Sequence, residues 1–216
     1  MKKTIYFLSF LAGLNVAYAQ SGTLSLTQGY GTEGNKATLT QVGGTVIINQ
    51  QYGKGGEATL TQTPNGYDDA QLFVGQYGHG NTAKADQSGL NNRISLDQIS
   101  GAPVSTKKGN VADITQTGDG NAIDATQVSG ASTGLHANVL DIKQIGDNSY
   151  INVNQRGVAL AGNTSILKQF GDDHYIMVEQ KGAYNTTAIT QDGKNNWAYH
   201  LQDNSTSALT LSLIHI

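Results

Sequence analysis

Cysteine is absent from the 216 residues and proline occurs only twice. Without thiols there is no disulfide framework, no thiolate metal site and no cysteine nucleophile. Charged residues make up 13% and aromatics 7%. A chain this poor in large rings cannot fill a thick aliphatic core, so its order must come from backbone pairing, small apolar side chains and polar ladders. The net charge of -3 leaves no electropositive face that could neutralise several phosphates, which excludes nucleic acid as a partner. His79, His136, His174, His200 and His215 show no metal-ligand spacing, and His79 and His174 fall in or beside turns. No G-x-S-x-G elbow or phosphate loop is visible. No metal, cofactor or enzymatic activity is expected.

What the chain has is 27 glycines and a glutamine that returns at a fixed interval. Gln76, Gln87 and Gln98 are spaced by 11, as are Gln116 and Gln127, Gln144 and Gln155, and the run Gln169, Gln180, Gln191 and Gln202. With Gln28, Gln41, Gln50 and Gln62 this makes 15 terminators, and seven of the 14 intervals equal 11. Alignment on the glutamine gives N-x-Φ-x-Φ-x-Q-x-G, where Φ is Ala, Ile, Leu or Val. Asparagine stands six before it at Asn35, Asn81, Asn92, Asn110, Asn121, Asn138, Asn163, Asn185 and Asn196. Glycine stands two after it at Gly43, Gly78, Gly89, Gly118, Gly146, Gly157, Gly171, Gly182 and Gly193.

Side chains alternate across a strand, so Asn, the two Φ residues and Gln all point to one face. Such a unit is a half-buried strand of about seven residues, and the x-G-x-x that follows is a turn, its glycine allowing a left-handed or close-packed backbone. Repetition every 11 residues predicts an all-β, two-sheet β-solenoid of about 15 strands, each strand stacking on the next but one. Identical amides then lie above one another at about 4.8 Å and can satisfy their own copies along the axis. Overlong connections precede Gln41, Gln62, Gln116, Gln144 and Gln169 at one edge and only Gln76 at the other. The longest, Ile99–Gly109 and Val128–Ala137, belong to the first set, so one edge is expected to be ragged and the other smooth.

The unit as it stands in Gln76-Tyr77-Gly78-His79-Gly80-Asn81-Thr82-Ala83-Lys84-Ala85-Asp86-Gln87 resembles the Q-x-G-x-x-N-x-A-x-x-x-Q curlin repeat of bacterial curli fibres. The resemblance runs over about residues 24–204. It implies a secreted subunit that polymerises with itself into an extracellular cross-β fibre of the biofilm matrix, with a nucleator subunit and an outer-membrane export pore as partners. The array has more rungs than the family norm, several longer connections, and no Gly/Asn-rich leader before Leu24 and Leu26.

Residues 1–19 read as a secretory signal: Lys2 and Lys3, an apolar run from Ile5 to Leu14, and Ala17-Tyr18-Ala19 before the cut. The run is too short for a membrane span. Residues 20–210 are the repeat array. Residues 211–216 match the translation of a common sequencing adapter, so the chain is expected to be truncated.

Asp86, Asp97, Asp113, Asp124 and Asp141 fall on the outward face, where they serve as solubilising gatekeepers rather than as a calcium or catalytic array. The Thr38 and Thr40, Thr59 and Thr61, and Thr186 and Thr190 pairs hint at an ice-binding face, which Asp, Lys and Asn interrupt. Tyr150, Tyr175 and Trp197, each five before its glutamine, should stack in an exposed aromatic column that Met177, Tyr199 and Leu201 extend. The competing readings are a monomeric β-solenoid adhesin or ice-binding module and a β-helical lyase, the latter lacking its clustered cleft.

Overall fold

Alternation with a period of two forces these segments into strands, and the turns fold each onto the opposite sheet. The structure, a computed structural model, describes residues 4–8, 15–19, 23–28, 35–41, 46–63, 70–101, 109–129, 137–157, 162–203 and 206–215. The odd-numbered strands are β1 (Thr4–Leu8), β3 (Thr23–Gln28), β5 (Val46–Lys54), β7 (Gln71–His79), β9 (Arg93–Ser100), β11 (Ala122–Ser129), β13 (Tyr150–Gly157), β15 (Tyr175–Gly182) and β17 (Trp197–Asp203). The even-numbered strands are β2 (Asn15–Ala19), β4 (Lys36–Gln41), β6 (Glu57–Thr63), β8 (Thr82–Ser88), β10 (Val111–Thr117), β12 (Val139–Ile145), β14 (Thr164–Asp172), β16 (Thr186–Lys194) and β18 (Ala208–His215). Each set forms one nine-stranded parallel sheet in sequence order. The protein is therefore a two-sheet β-solenoid.

Strands β3 to β17 are the 15 that the glutamine count predicts. Three more extend the array: β1 and β2 lie in the stretch read as the export signal, and β18 overlaps residues 211–216. Register corrects one position. Gln51, not Gln50, pairs with Gln28 on one side and Gln76 on the other, while Gln50 faces Gly75. Taking Gln51 makes the interval to Gln62 equal 11, so the connection before Gln62 is not overlong.

Between the sheets lies a single thin core. Leu39, Leu60, Leu72, Ile94, Leu96, Ile114, Ile123, Leu140, Ile142 and Ile151 are all fully buried. Burial of one such side chain contributes about 1.5–3 kcal/mol. Because every rung repeats it, the stabilisation sums along the stack. The smooth edge holds the described turns at 89–92, 118–121, 146–149, 171–174 and 193–196, all leading from the even sheet to the odd one. Most of the expected insertions, at 102–108 and 130–136, lie outside the described residues.

Of the expected turn glycines, Gly78, Gly89, Gly118, Gly146, Gly171, Gly182 and Gly193 have φ between +93° and +128°. Gly157 ends β13 beside 158–161, which fall outside the described residues. At Gly146 the need is twofold. Its φ is +128°, and a Cβ there would lie 1.9 Å from the Gly171 carbonyl oxygen of the next rung. Only glycine lets the turns stack this closely.

Candidate functional site

From Gln62 to Gln202 every glutamine expected in the ladder is buried and faces inward, and Gln51 joins them in place of Gln50. In the odd sheet the Nε2 of Gln51 donates to Gln76 Oε1 at 2.8 Å, and the chain continues to Gln98, Gln127, Gln155, Gln180 and Gln202 at 2.8–3.0 Å. The even sheet repeats it from Gln62 through Gln87, Gln116, Gln144 and Gln169 to Gln191, again at 2.8–3.0 Å. Each amide donates along the axis and accepts from the rung before. Dipoles so aligned polarise one another, which strengthens the chain.

The second Nε2 proton crosses to the facing sheet. Gln98 donates to the Thr82 carbonyl at 3.0 Å, Gln127 to Val111 at 3.1 Å, Gln155 to Val139 at 3.1 Å and Gln191 to Tyr175 at 3.1 Å. A glutamine thus fixes both the rise between rungs and the spacing between sheets. Ser165 and Thr187, both fully buried, brace the odd-sheet ladder by donating to Gln180 Oε1 at 2.9 Å and Gln202 Oε1 at 3.1 Å. They replace an apolar residue of the repeat, and an apolar pattern gives no signal for them.

The asparagines line up as well, but with different partners from the amide-to-amide stack expected. From Asn35 to Asn185 each Oδ1 accepts the backbone N–H of the equivalent residue one rung on. Asn81 takes it from Asn110 at 2.9 Å, Asn110 from Asn138 at 3.3 Å, Asn138 from Asn163 at 2.8 Å and Asn163 from Asn185 at 3.2 Å. Asn35 takes it from Gly56 at 2.7 Å, and Asn92 from Asn121 at 2.9 Å. Nδ2 meanwhile caps the preceding turn, as when Asn81, Asn185 and Asn196 donate to the carbonyls of Tyr77, Lys181 and Asp192, four residues back, at 2.8, 2.6 and 2.7 Å. The shorter asparagine reaches the backbone, not its own copy.

Ser149 and His174, outside the asparagine pattern, occupy places in one of these columns. Ser149 donates its N–H to Asn121 Oδ1 at 2.9 Å, and its Oγ accepts the His174 N–H at 3.0 Å. His174 is buried; its Nδ1 accepts the Asn196 N–H at 3.2 Å and its Nε2 lies 2.9 Å from the Phe170 carbonyl. With one proton on Nε2 the ring reproduces both functions of an asparagine amide. Position six before Gln155 and Gln180 would have located both.

A third ladder runs along the smooth edge. Asp119 Oδ1 accepts the Leu90 N–H at 2.9 Å, Asp147 Oδ1 that of Asp119 at 2.8 Å and Asp172 Oδ1 that of Asp147 at 3.1 Å. Lys194 closes it with an ion pair to Asp172 at 3.0 Å. The hydrogen bond from Lys194, followed by that from the Asp147 backbone, holds the Asp172 carboxyl below its usual range. These turn carboxylates went unrecognised in the repeat because they occupy one of its x positions.

On the outer face of the odd sheet, Tyr150 and Tyr175 lie 5.4 Å apart and Tyr175 and Trp197 6.1 Å apart between ring centroids. Trp197 is 67% exposed, with Tyr199 and Leu201 exposed beside it, while Met177 is half-buried. Burial first, and the nearby Asp124 carboxylate further on, pushes the Tyr150 hydroxyl up. A second stack, Tyr52 on Tyr77 at 5.3 Å and 9°, follows from the corrected register, since each ring comes one after its glutamine. Asp86, Asp113 and Asp124 form ion pairs with Lys84 or Arg93.

Residues 68–99 and 146–182 match the family model of the curlin associated repeat. These two stretches carry that repeat. They span β7 to β9 and β13 to β15, where every strand carries its ladder glutamine. No curated protein and no solved structure matches the chain. A curlin repeat on a parallel β-solenoid points to a structural protein rather than an enzyme.

Proposed function

We propose that this chain is a secreted structural subunit that polymerises into curli-like extracellular fibres of the biofilm matrix. One observation carries the reading: a buried amide ladder in each sheet, running strand after strand, in which each glutamine donates to the next copy of itself. β17 and β18 end the two sheets, and a strand edge with free backbone groups is a template for pairing. Cleavage after Ala19 would leave β3 and β4 as the first rung. A second copy could then add its first rung to an exposed strand edge of the stack. A nucleator subunit and an outer-membrane pore are the partners that the curlin repeat suggests.

Incubation of the purified chain from residue 20 onward should give thioflavin-positive fibres. Their diffraction should show reflections near about 4.8 Å along the fibre and about 10 Å across it. A product that stays monomeric and soluble would overturn the reading.

A further inference from the structure

On the outer face of the odd sheet, two neighbouring rungs hold a pair of nearly parallel tyrosine rings. Tyr52 on β5 and Tyr77 on β7 are register partners, each standing one after its ladder glutamine. Their centroids lie 5.3 Å apart with the planes 9° from parallel. Both residues are 37% exposed, so the stack is open to reagents in solution. Gly75 lies two before Tyr77 and therefore on the same face. It keeps the ring edge clear, since a Cβ there would stand 3.2 Å from Tyr77 Cε2.

The other tyrosines are held differently. Tyr150 and Tyr175 are tilted by 33°, and the Tyr150 hydroxyl donates to Asp124 Oδ2 and accepts from Asn152, both at 3.1 Å. The Tyr175 hydroxyl lies 3.7 Å from Met177 Sδ, a thioether that competes for oxidant. Tyr184 is 57% exposed but has no ring stacked on it among the described residues.

We infer that Tyr52 and Tyr77 form a site of oxidative cross-linking, at which a haem peroxidase with hydrogen peroxide joins the two rings and so staples β5 to β7. Each phenol gives one electron to the peroxidase and its hydroxyl proton to water, leaving a phenoxyl radical with spin density on the carbons ortho to oxygen. The two radicals couple through one Cε of each ring. Each ring then moves the hydrogen of that carbon, as a proton, back to its oxygen and regains aromaticity. The peroxide takes up the two electrons and two protons and leaves as two waters. Stacking in register makes the coupling intramolecular, which outruns encounter between chains. The chain has no cysteine with which to tie one rung to the next, and a biaryl bond restrains the unfolded chain as a disulfide would. Both tyrosines lie inside the array, so the reaction needs neither of its ends.

Treatment of the purified chain with a haem peroxidase and hydrogen peroxide, followed by dityrosine fluorescence and peptide mapping, tests this. The product should keep the size of a single chain, weigh less by two hydrogen atoms, and yield a dominant cross-linked peptide joining Tyr52 to Tyr77. Tyr52→Phe and Tyr77→Phe each keep a ring in the stack and should lower the fluorescence about tenfold, whereas Tyr184→Phe should leave it unchanged. In denaturant, where the register is lost, the link from Tyr52 to Tyr77 should cease to dominate. Treated wild type should also unfold at a higher denaturant midpoint than treated Tyr77→Phe. A dominant link elsewhere or between chains, or an equal yield in denaturant, overturns the site. A link that leaves the midpoint unmoved overturns the staple.

Discussion

The glutamine and asparagine columns pass through the same rungs and are both buried in mid-array, yet one stays glutamine on rung after rung until Leu213 follows Gln191, while the other admits several residues. From Gln51 to Gln202 and from Gln62 to Gln191 every described member is glutamine. The asparagine columns hold Gly56, Ser149, His174 and Ser207 in asparagine's place. Partners explain the contrast. A glutamine bonds to another glutamine, so both ends of the bond must be that residue. An asparagine bonds to backbone, which every residue carries, so a serine hydroxyl or an imidazole can accept in its place, and at Gly56 the column goes without a side-chain acceptor.

The largest effect should come from interrupting the first kind of column in mid-array. Gln127→Ala removes a bond from Gln98 at 2.9 Å, one to Gln155 at 3.0 Å and one to the Val111 carbonyl at 3.1 Å. Buried groups left without partners should cost about 3–5 kcal/mol, read as a lowered denaturant midpoint. Gln127→Ser should rescue none of it, because a hydroxyl cannot span the rung.

In the second kind of column the same pair of changes should separate. Asn121→Ala leaves the Ser149 N–H without its acceptor at 2.9 Å, a loss of about 2 kcal/mol. Asn121→Ser imitates Ser149 itself, and should recover about half of that. Equal losses for alanine and serine would sink the explanation. Smaller still is His174→Asn, which returns the usual residue to the column and should shift the midpoint by less than about 0.5 kcal/mol.

Much of this was legible in the sequence because an 11-residue period is a statement about architecture, and the inward column follows from alternation alone. The one slip of register has a physical cause. Val46, Ile47 and Ile48 form an unbroken apolar run, so alternation could not choose between Gln50 and Gln51. The pair Tyr52-Gly53, which repeats Tyr77-Gly78, does choose. Partner identity was beyond reach, since periodicity says which residues stack but not whether an amide meets a side chain or a peptide group. His174 was visible as a letter, while its column emerged only with the register.

A column on the outer face completes the contrast, because nothing there demands identity at all: Gln50, Gly75, Asp97, Thr126, Asn154, Glu179 and Leu201 follow one another. Gly75 leaves room for its neighbour, since a Cβ there would meet Asp97 Oδ1 at 2.5 Å, with Tyr77 and Phe73 ring atoms 3.2 and 3.6 Å away. Partial burial of the Asp97 carboxylate raises its pKa. An acid that binds its proton more tightly when folded costs stability while ionised, and the cost fades as pH falls through the folded pKa toward the unfolded value of about 3.9. Asp97→Asn should therefore raise the midpoint slightly at neutral pH, by under about 1 kcal/mol, and the gain should vanish below about pH 4. Asp172, held down by Lys194, has the opposite sign, so Asp172→Asn should lower the midpoint at neutral pH and converge on wild type in acid. Two curves of the same slope would mean that the outer face is governed by net charge and not by the local surroundings of each carboxylate.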